Sequence, residues 1–322
     1  MSRRADMTAC PVQAQPSGHK PTKVVVIPTL IKEKDEMIST LSPITLRPMT
    51  DEDLDGALLL SQAVRWPHRR EDWSIALALG HGIVAEENGQ IIGSAMWWPY
   101  GDAFATCGSI IVSPAKQGRG LGRTLMEYLL EATGERAVLL SSTTQGHRLY
   151  QSFGFKDVGT AHQHQAQTSA GAAGLSHTEC DKTVRRVRAD DLPAMLQIDR
   201  QAFGAERTRL IEEFSRIGTA AVIDRDGVIQ GFAMCRPFGL GYAIGPVITR
   251  TANDARLLIG YFIKDKAGEF LRVDITDNSG LGDWLTAQGL PKVGTETIMI
   301  RGHRPPISGQ ERIYGLASRS FG

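Results

Sequence analysis

At 322 residues the chain is long enough for two domains of ordinary size, each able to bury its own core. Lys and Arg number 36 against 35 Asp and Glu, a formal net charge of +1, so there is no whole-chain basic field of the kind that draws nucleic acid or an anionic membrane. Composition is that of a soluble globular chain, no apolar run is long enough to span a bilayer, and Cys10, Cys107, Cys180 and Cys235 have neither disulfide-framework nor zinc-ligand spacing, so plain thiols in a reducing cytoplasm are expected.

Residues 1–42 hold no sustained period and are rich in Pro, Thr, Gln and Lys, so a disordered N-terminal extension is expected, with Met37 an expected biological start. The one apolar run there, 24–31, is interrupted by Pro28 and lacks a small-residue cleavage site, which argues against a secretory signal. Residues 44–47 read as a short strand. Thr50 with the acids at 51–53 caps a helix whose apolar face is Leu54, Ala57, Leu58 and Ala63. A turn carrying Trp66, Pro67 and His68 leads to a second helix near 71–79. Residues 81–86 and 90–98 make a hairpin around Asn88-Gly89. Trp97 and Trp98, adjacent on a strand, must face opposite ways, so one can be core while the other lines a pocket.

Residues 104–112 form the next strand. Pro114 stops it, and the loop Gln117-Gly118-Arg119-Gly120-Leu121-Gly122 leads into a helical period at Leu121, Leu125 and Leu129. A helix start offers unpaired N–H groups and the positive end of the macrodipole, and glycines let phosphate oxygens approach the main chain. Lys116, Arg119 and Arg123 can add charge-assisted hydrogen bonds. The spacing G-x-G-x-G does not match the dinucleotide fingerprint G-x-G-x-x-G, and no Gly-Lys-Ser/Thr follows to make a P-loop. Residues 137–141 are a buried strand, 145–152 a helix, and 158–167 a closing strand. On that strand His162 and His164 lack a third partner for a metal site, and no metal is expected.

The Q-x-x-G-x-G loop and the later Leu149-Tyr150-Gln151-Ser152-Phe153-Gly154-Phe155 together resemble the two signature segments of the GNAT family of acyl-CoA-dependent N-acetyltransferases, over residues 44–167. After a small-residue linker the chain repeats itself. Leu46-Arg47 and Asp53-Leu54 match Val184-Arg185 and Asp191-Leu192, and with the same offset 89–101 aligns with 227–239. In the second copy Leu285 stands for Tyr150, and the stretch 247–256 has no glycine and places Asp254 beside the helix start, which should repel a pyrophosphate. The arrangement resembles tandem GNAT proteins, an active domain followed by a degenerate one.

The resemblance implies an α+β fold of two GNAT-like domains, each a mixed, mostly antiparallel twisted sheet flanked by helices: extension 1–42, catalytic domain 43–167, linker 168–182 and degenerate domain 183–322. It implies acetyl-CoA as co-substrate, its pantetheine on the backbone of Ile110, Ile111 and Val112 and its pyrophosphate on 117–122 with Arg123 nearby. An amine would attack the thioester directly, with Tyr150 as proton donor to the leaving thiolate. The loop holding Trp66 and His68 would lie over the acceptor site, with Trp98 and Tyr100 as further candidates. For the base, His68, Asp102 and a water chain stay open. The leading expectation is a cytoplasmic N-acetyltransferase acting on a small-molecule amine, monomeric or dimeric. A protein lysine or N-terminal acetyltransferase and a non-catalytic acyl-CoA-binding module are the alternatives; nucleic acid and membrane partners are not expected.

Overall fold

The computed structural model describes residues 23–33, 36–169 and 183–322; the rest of the expected extension and most of the expected linker lie outside them. The first half runs β1 (Lys23–Glu33), β2 (Glu36–Pro48), α1 (Leu54–Ala63), α2 (Arg70–Leu79), β3 (His81–Glu87), β4 (Gln90–Tyr100), β5 (Phe104–Val112), α3 (Leu121–Thr133), β6 (Ala137–Ser142), α4 (His147–Ser152) and β7 (Lys156–Gln167). The second half repeats it as β8 (Val184–Arg186), α5 (Leu192–Phe203), α6 (Thr208–Ile217), β9 (Thr219–Arg225), β10 (Val228–Phe238), β11 (Gly241–Thr249), α7 (Ala252–Asp265), β12 (Phe270–Thr276), α8 (Gly282–Ala287) and β13 (Lys292–Arg301). It then adds β14 (Arg312–Gly315).

The repeat holds down to single side chains. Arg47 donates both Nη groups to Asp53 at 2.7 and 2.8 Å and Nε to Glu86 at 2.9 Å. Arg185 does the same to Asp191 at 2.8 and 2.6 Å and to Asp224 at 2.7 Å. Each aspartate also accepts a backbone N–H, from Thr50 or Arg188, and so ties the start of its helical segment to the sheet.

Among the described residues the strands form one sheet in the order β1-β2-β3-β4-β5-β6-β13-β7-β12-β14-β11-β10-β9-β8. The mixed sheet flanked by helices is the expected α+β architecture, with one difference: the two copies have exchanged their last strands. β13 of the second copy pairs with β6 of the first, from Thr297↔Ser142 to Arg301↔Val138. β7 of the first pairs with β12 of the second, from Phe270↔Gln167 to Thr276↔Ala161. β7 and β13 also pair with each other, which joins the two sheets into one. Strand patterns read along a sequence do not carry their partners, so nothing in the repeat announced this.

The shared face is covered by α1 and α2 together with α5 and α6. Their core is continuous across the halves and includes Trp73, Trp98, Phe104, Phe203, Phe214 and Phe232. The opposite face carries two separate cores, one under α3 with Leu121, Leu125, Met126 and Leu129, the other under α7. Trp98 belongs to the shared core, while Trp97 packs on the opposite face and stacks on His81 at 5.5 Å. For residues 23–33 and 36–42 the expectation of disorder is corrected: β1 and β2 pair antiparallel, from Lys23↔Leu46 to Glu33↔Glu36. The β-branched run in this sequence suits extended backbone, and Pro28 is tolerated because β1 is the edge of the sheet.

Candidate active site

β5 and β6 are parallel neighbours over only three pairs, Phe104↔Ala137, Ala105↔Val138 and Thr106↔Leu139, and then part. A bulge on β5 starts at the parting point: opposite β4 the register moves from Met96↔Gly108 to Ser94↔Ile111, which leaves an extra residue on β5. Ser109 takes φ +50° there, and Ser94 Oγ donates to its carbonyl at 2.8 Å. Ile110, Ile111 and Val112 therefore lie beyond the last pairing with β6, with one backbone edge turned to the gap.

The second copy splays in the same place, after Tyr242↔Leu271, Ala243↔Arg272 and Ile244↔Val273. There β14 fills the gap, pairing Val247↔Gly315, Ile248↔Ile313 and Thr249↔Arg312 on one side and Ile275↔Gly315 on the other. Gly315 is required for this fit, because a Cβ would lie 2.9 Å from Val247 Cγ2.

At the open splay, Gly118 and Gly120 hold φ of +77° and +81°, and a Cβ at either would meet nothing within 4 Å. The loop is thus shaped by left-handed backbone around open space, and Gly120 is the N-cap of α3. Among the described hydrogen bonds no backbone acceptor serves the N–H groups of Gln117 to Gly122, while Thr124 is the first to bond back, to the Gly120 carbonyl at 3.1 Å. These features fit a pyrophosphate. Arg119 and Lys116 converge on the buried Glu87 at 2.9 and 2.6 Å, two cations on one carboxylate. Hydrogen bonds from Arg119, then Lys116, hold that carboxyl below its ordinary range. Arg123 donates to Ser152 Oγ at 3.0 Å and lies over the Phe153 ring. In the second copy the equivalent helix start is already satisfied. Thr251 Oγ1 accepts from the Asp254 N–H at 3.1 Å, and Asp254 is ion-paired to Arg225.

A cavity of about 390 Å³ opens at the mouth of the β5–β6 splay, between the two halves. Gly108 and Ser109 of β5 and Ser141 of β6 line it at the splay; Trp66, Trp73 and Trp98 give it an aromatic wall. The second half supplies Arg236, Phe238, Arg272 and Glu296. The segment after β14 completes it. Phe321 packs on Trp98 at 4.8 Å, and its carbonyl accepts from Tyr100 Oη at 3.1 Å and from Arg207 Nη1 at 3.2 Å.

His68 stands edge-on to Trp66, Trp73 and Phe238, with centroids 5.8, 5.9 and 5.5 Å away. Loss of water, with the Arg272 and Arg236 charges adding and Asp72 opposing, pushes its imidazole down to about 4, so it is neutral at pH 7. Tyr150 lies on α4, buried, its ring against Gly146, where a Cβ would come within 2.7 Å of Cε2. Burial first, with the neighbouring Cys107 on β5 and Glu296 on β13 further opposing a phenolate, raises its phenol well above the ordinary value, so it carries its proton. Glu296 is itself raised, by burial against the opposing pull of Arg319.

Two expected site residues are elsewhere. Asp102 is fully exposed at the β4–β5 turn, beside Arg136 at 3.4 Å, at the closed end of the β5–β6 pair, and is no base for this cavity. Tyr100 is buried in the shared core against Phe203, and its hydroxyl donates to the Phe321 carbonyl, so it is a core position and does not line the cavity. Glu296 escaped sequence reasoning because strand exchange brings it from the far end of the chain. Arg236 had a signal: a charge directly after the apolar run 231–235, aligned with Trp98.

Two family models described as acetyltransferase (GNAT) domain match residues 78–157 and 195–315. The chain is 25% identical over 305 residues to holothin acyltransferase of Pseudoalteromonas sp. (strain SANK 73390), across 84% of this chain and 99% of that protein. A putative acetyltransferase from Pyrococcus horikoshii shares the fold at 20% identity with a TM-score of 0.71, over 87% of this chain and 96% of that one. So does a tandem GNAT protein from the clavulanic acid biosynthesis pathway, at 14% identity with a TM-score of 0.58, over 80% and 98%.

Proposed function

Because the chain belongs to the GNAT acetyltransferase family, as a tandem of two such domains, we propose that its first half transfers an acetyl group from acetyl-CoA to the amine of a small molecule held between the halves. The observation that carries this reading is an asymmetry between two copies of one fold: the β5–β6 splay is open beside a glycine loop, whereas β14 fills the β11–β12 splay. The pyrophosphate would rest on the N–H groups of 117–122, and the pantetheine on the free edge of Ile110 to Val112. The thioester carbonyl would then sit at Gly108–Ser109, at the cavity.

The amine nitrogen attacks the carbonyl carbon, the C–N bond forms, and the C–S bond breaks. Tyr150, protonated at pH 7, gives the thiolate its proton. The attacking nitrogen loses its own proton to a group lining the cavity. His68, whose imidazole is neutral, and the Glu296 carboxylate line the cavity and would serve for that, whereas Asp102 does not line it. Placement of the cavity between halves favours a small acceptor over a polypeptide, which needs an open groove. A thiol-release assay with acetyl-CoA against a panel of amines tests the reading. Release that depends on the amine and on Tyr150 supports it, and coenzyme binding without release on any amine favours the non-catalytic module.

A further inference from the structure

The cavity wall contributed by the second half is cationic in a way its own contacts do not explain. Arg236, at the end of β10, is 3% exposed and lines the cavity. Its guanidinium is stacked over Phe214 at 4.3 Å and Phe238 at 4.8 Å. Its Nη1 reaches only the Pro237 carbonyl, at 3.5 Å, and its Nε has no acceptor. No described ion pair includes it. The carboxylate acting on it most strongly, Asp72, is already taken by Arg69 at 2.7 Å and by the Gly239 N–H at 3.0 Å.

Two more guanidiniums share the wall. Arg272 bonds Asp274 at 2.8 Å, and Arg319 bonds the same Asp274 at 3.1 Å and Glu296. Arg319 Nη2 is buried with no acceptor. On the wall of the second half three guanidiniums thus meet two carboxylates, an excess of one positive charge, with the Arg69–Asp72 pair neutral beside it and exposed Arg65 lining the first half's side. A buried, unpaired guanidinium is costly to keep unless something arrives to neutralise it.

We infer that the acceptor is an amine with an apolar body and one carboxylate, the carboxylate being received by Arg236 on the wall that Arg272 and Arg319 share. One excess charge suits a monoanion better than a dianionic phosphate. The opposite wall of Trp66, Trp73 and Trp98 suits the apolar body. The degenerate copy thereby acquires a role: it supplies the substrate's counter-charge at a position where the first copy has Trp98. This deepens the functional reading above and rests on it for the identity of the ligand as acceptor.

The test uses the full chain and needs no turnover. N-acetylphenylalanine and N-acetylphenethylamine differ by one carboxylate, and tryptophan fluorescence reports their binding because three tryptophans line the cavity. The carboxylate ligand should bind at least about tenfold more tightly. Arg236→Met should bring the pair within about twofold of each other, and Arg236→Lys should keep part of the difference. Phosphoethanolamine against ethanolamine is the phosphate arm. Equal binding of the acetylated pair to the wild type, equal weakening of both ligands by Arg236→Met, or preference for the phosphate probe would overturn the inference. If Arg236→Met does not fold, the wild-type ratio and Arg236→Lys decide. Carboxylate-selective binding with no thiol release on any amine of the panel would refute the catalytic reading and leave only the carboxylate site at Arg236 standing.

Discussion

Replacing Gly120 by alanine separates backbone strain from coenzyme binding. At φ +81° an added Cβ meets no protein atom within 4 Å, so the cost to the fold is the left-handed conformation alone, about 1–2 kcal/mol. A shift of that size lowers the melting temperature by a few degrees. If the loop holds a pyrophosphate, the same Cβ also stands between the N–H groups and the phosphate oxygens. Losing one charge-assisted hydrogen bond costs roughly 1.5–3 kcal/mol, an affinity loss of about tenfold to a hundredfold. Gly289, with φ +84° and equally open space, is the matched control in the second copy. Gly289→Ala should melt lower by a similar amount and leave coenzyme A affinity unchanged. Calorimetric titration of both variants with coenzyme A reads the difference, and the wild type should bind one coenzyme per chain. Equal affinities for Gly120→Ala and wild type, or two coenzymes per chain, would refute the assignment of the loop and the filling of the second splay.

Tyr150→Phe should lower kcat at least tenfold, about 1.4 kcal/mol of barrier, without lowering the melting temperature, since no hydrogen bond of its hydroxyl is found among the described residues. His68 has a folded value of about 4 against 6.5 unfolded. Between those values the unfolded chain binds more protons, so its contribution is fully present above pH 6.5 and is lost as pH falls toward 4. Denaturation curves across that window should show a loss on the order of 3 kcal/mol at most, and His68→Gln should flatten it. Gly80→Ala places a Cβ 2.3 Å from Trp98 Cδ1 and 2.5 Å from the Trp97 carbonyl, so it should destabilise by about 1–3 kcal/mol or more, read by thermal melting.

Most elements of the first half were legible because their signals are local: the Asn88-Gly89 turn, the acid-rich cap at 51–53, and the change from period two to period four across Gly120. Residues 104–112 were placed to the residue. The loop was also legible, since glycines at positive φ leave a mark in composition. What sequence could not carry was long-range. Arg47 and Arg185 could be aligned, but β6 pairing with β13 could not be read, because an antiparallel edge accepts any strand of the right pattern. The site suffered accordingly. Trp66, His68 and Trp98 were found on the half that holds the splay, whereas Glu296, Arg272 and Arg319 reach the cavity only through pairing across halves. Asp102 is not a base for the cavity because the β4–β5 turn lies at the closed end of the β5–β6 pair, which the sequence does not show.

The reciprocal exchange of β7 and β13 also bears on whether either copy can stand alone. Deleting the second copy would strip the first of the neighbour that covers β6 and leave β7 without either of its partners. With the strands crossed over, neither half keeps a complete sheet when the other is removed, so the tandem holds together as one indivisible folding unit.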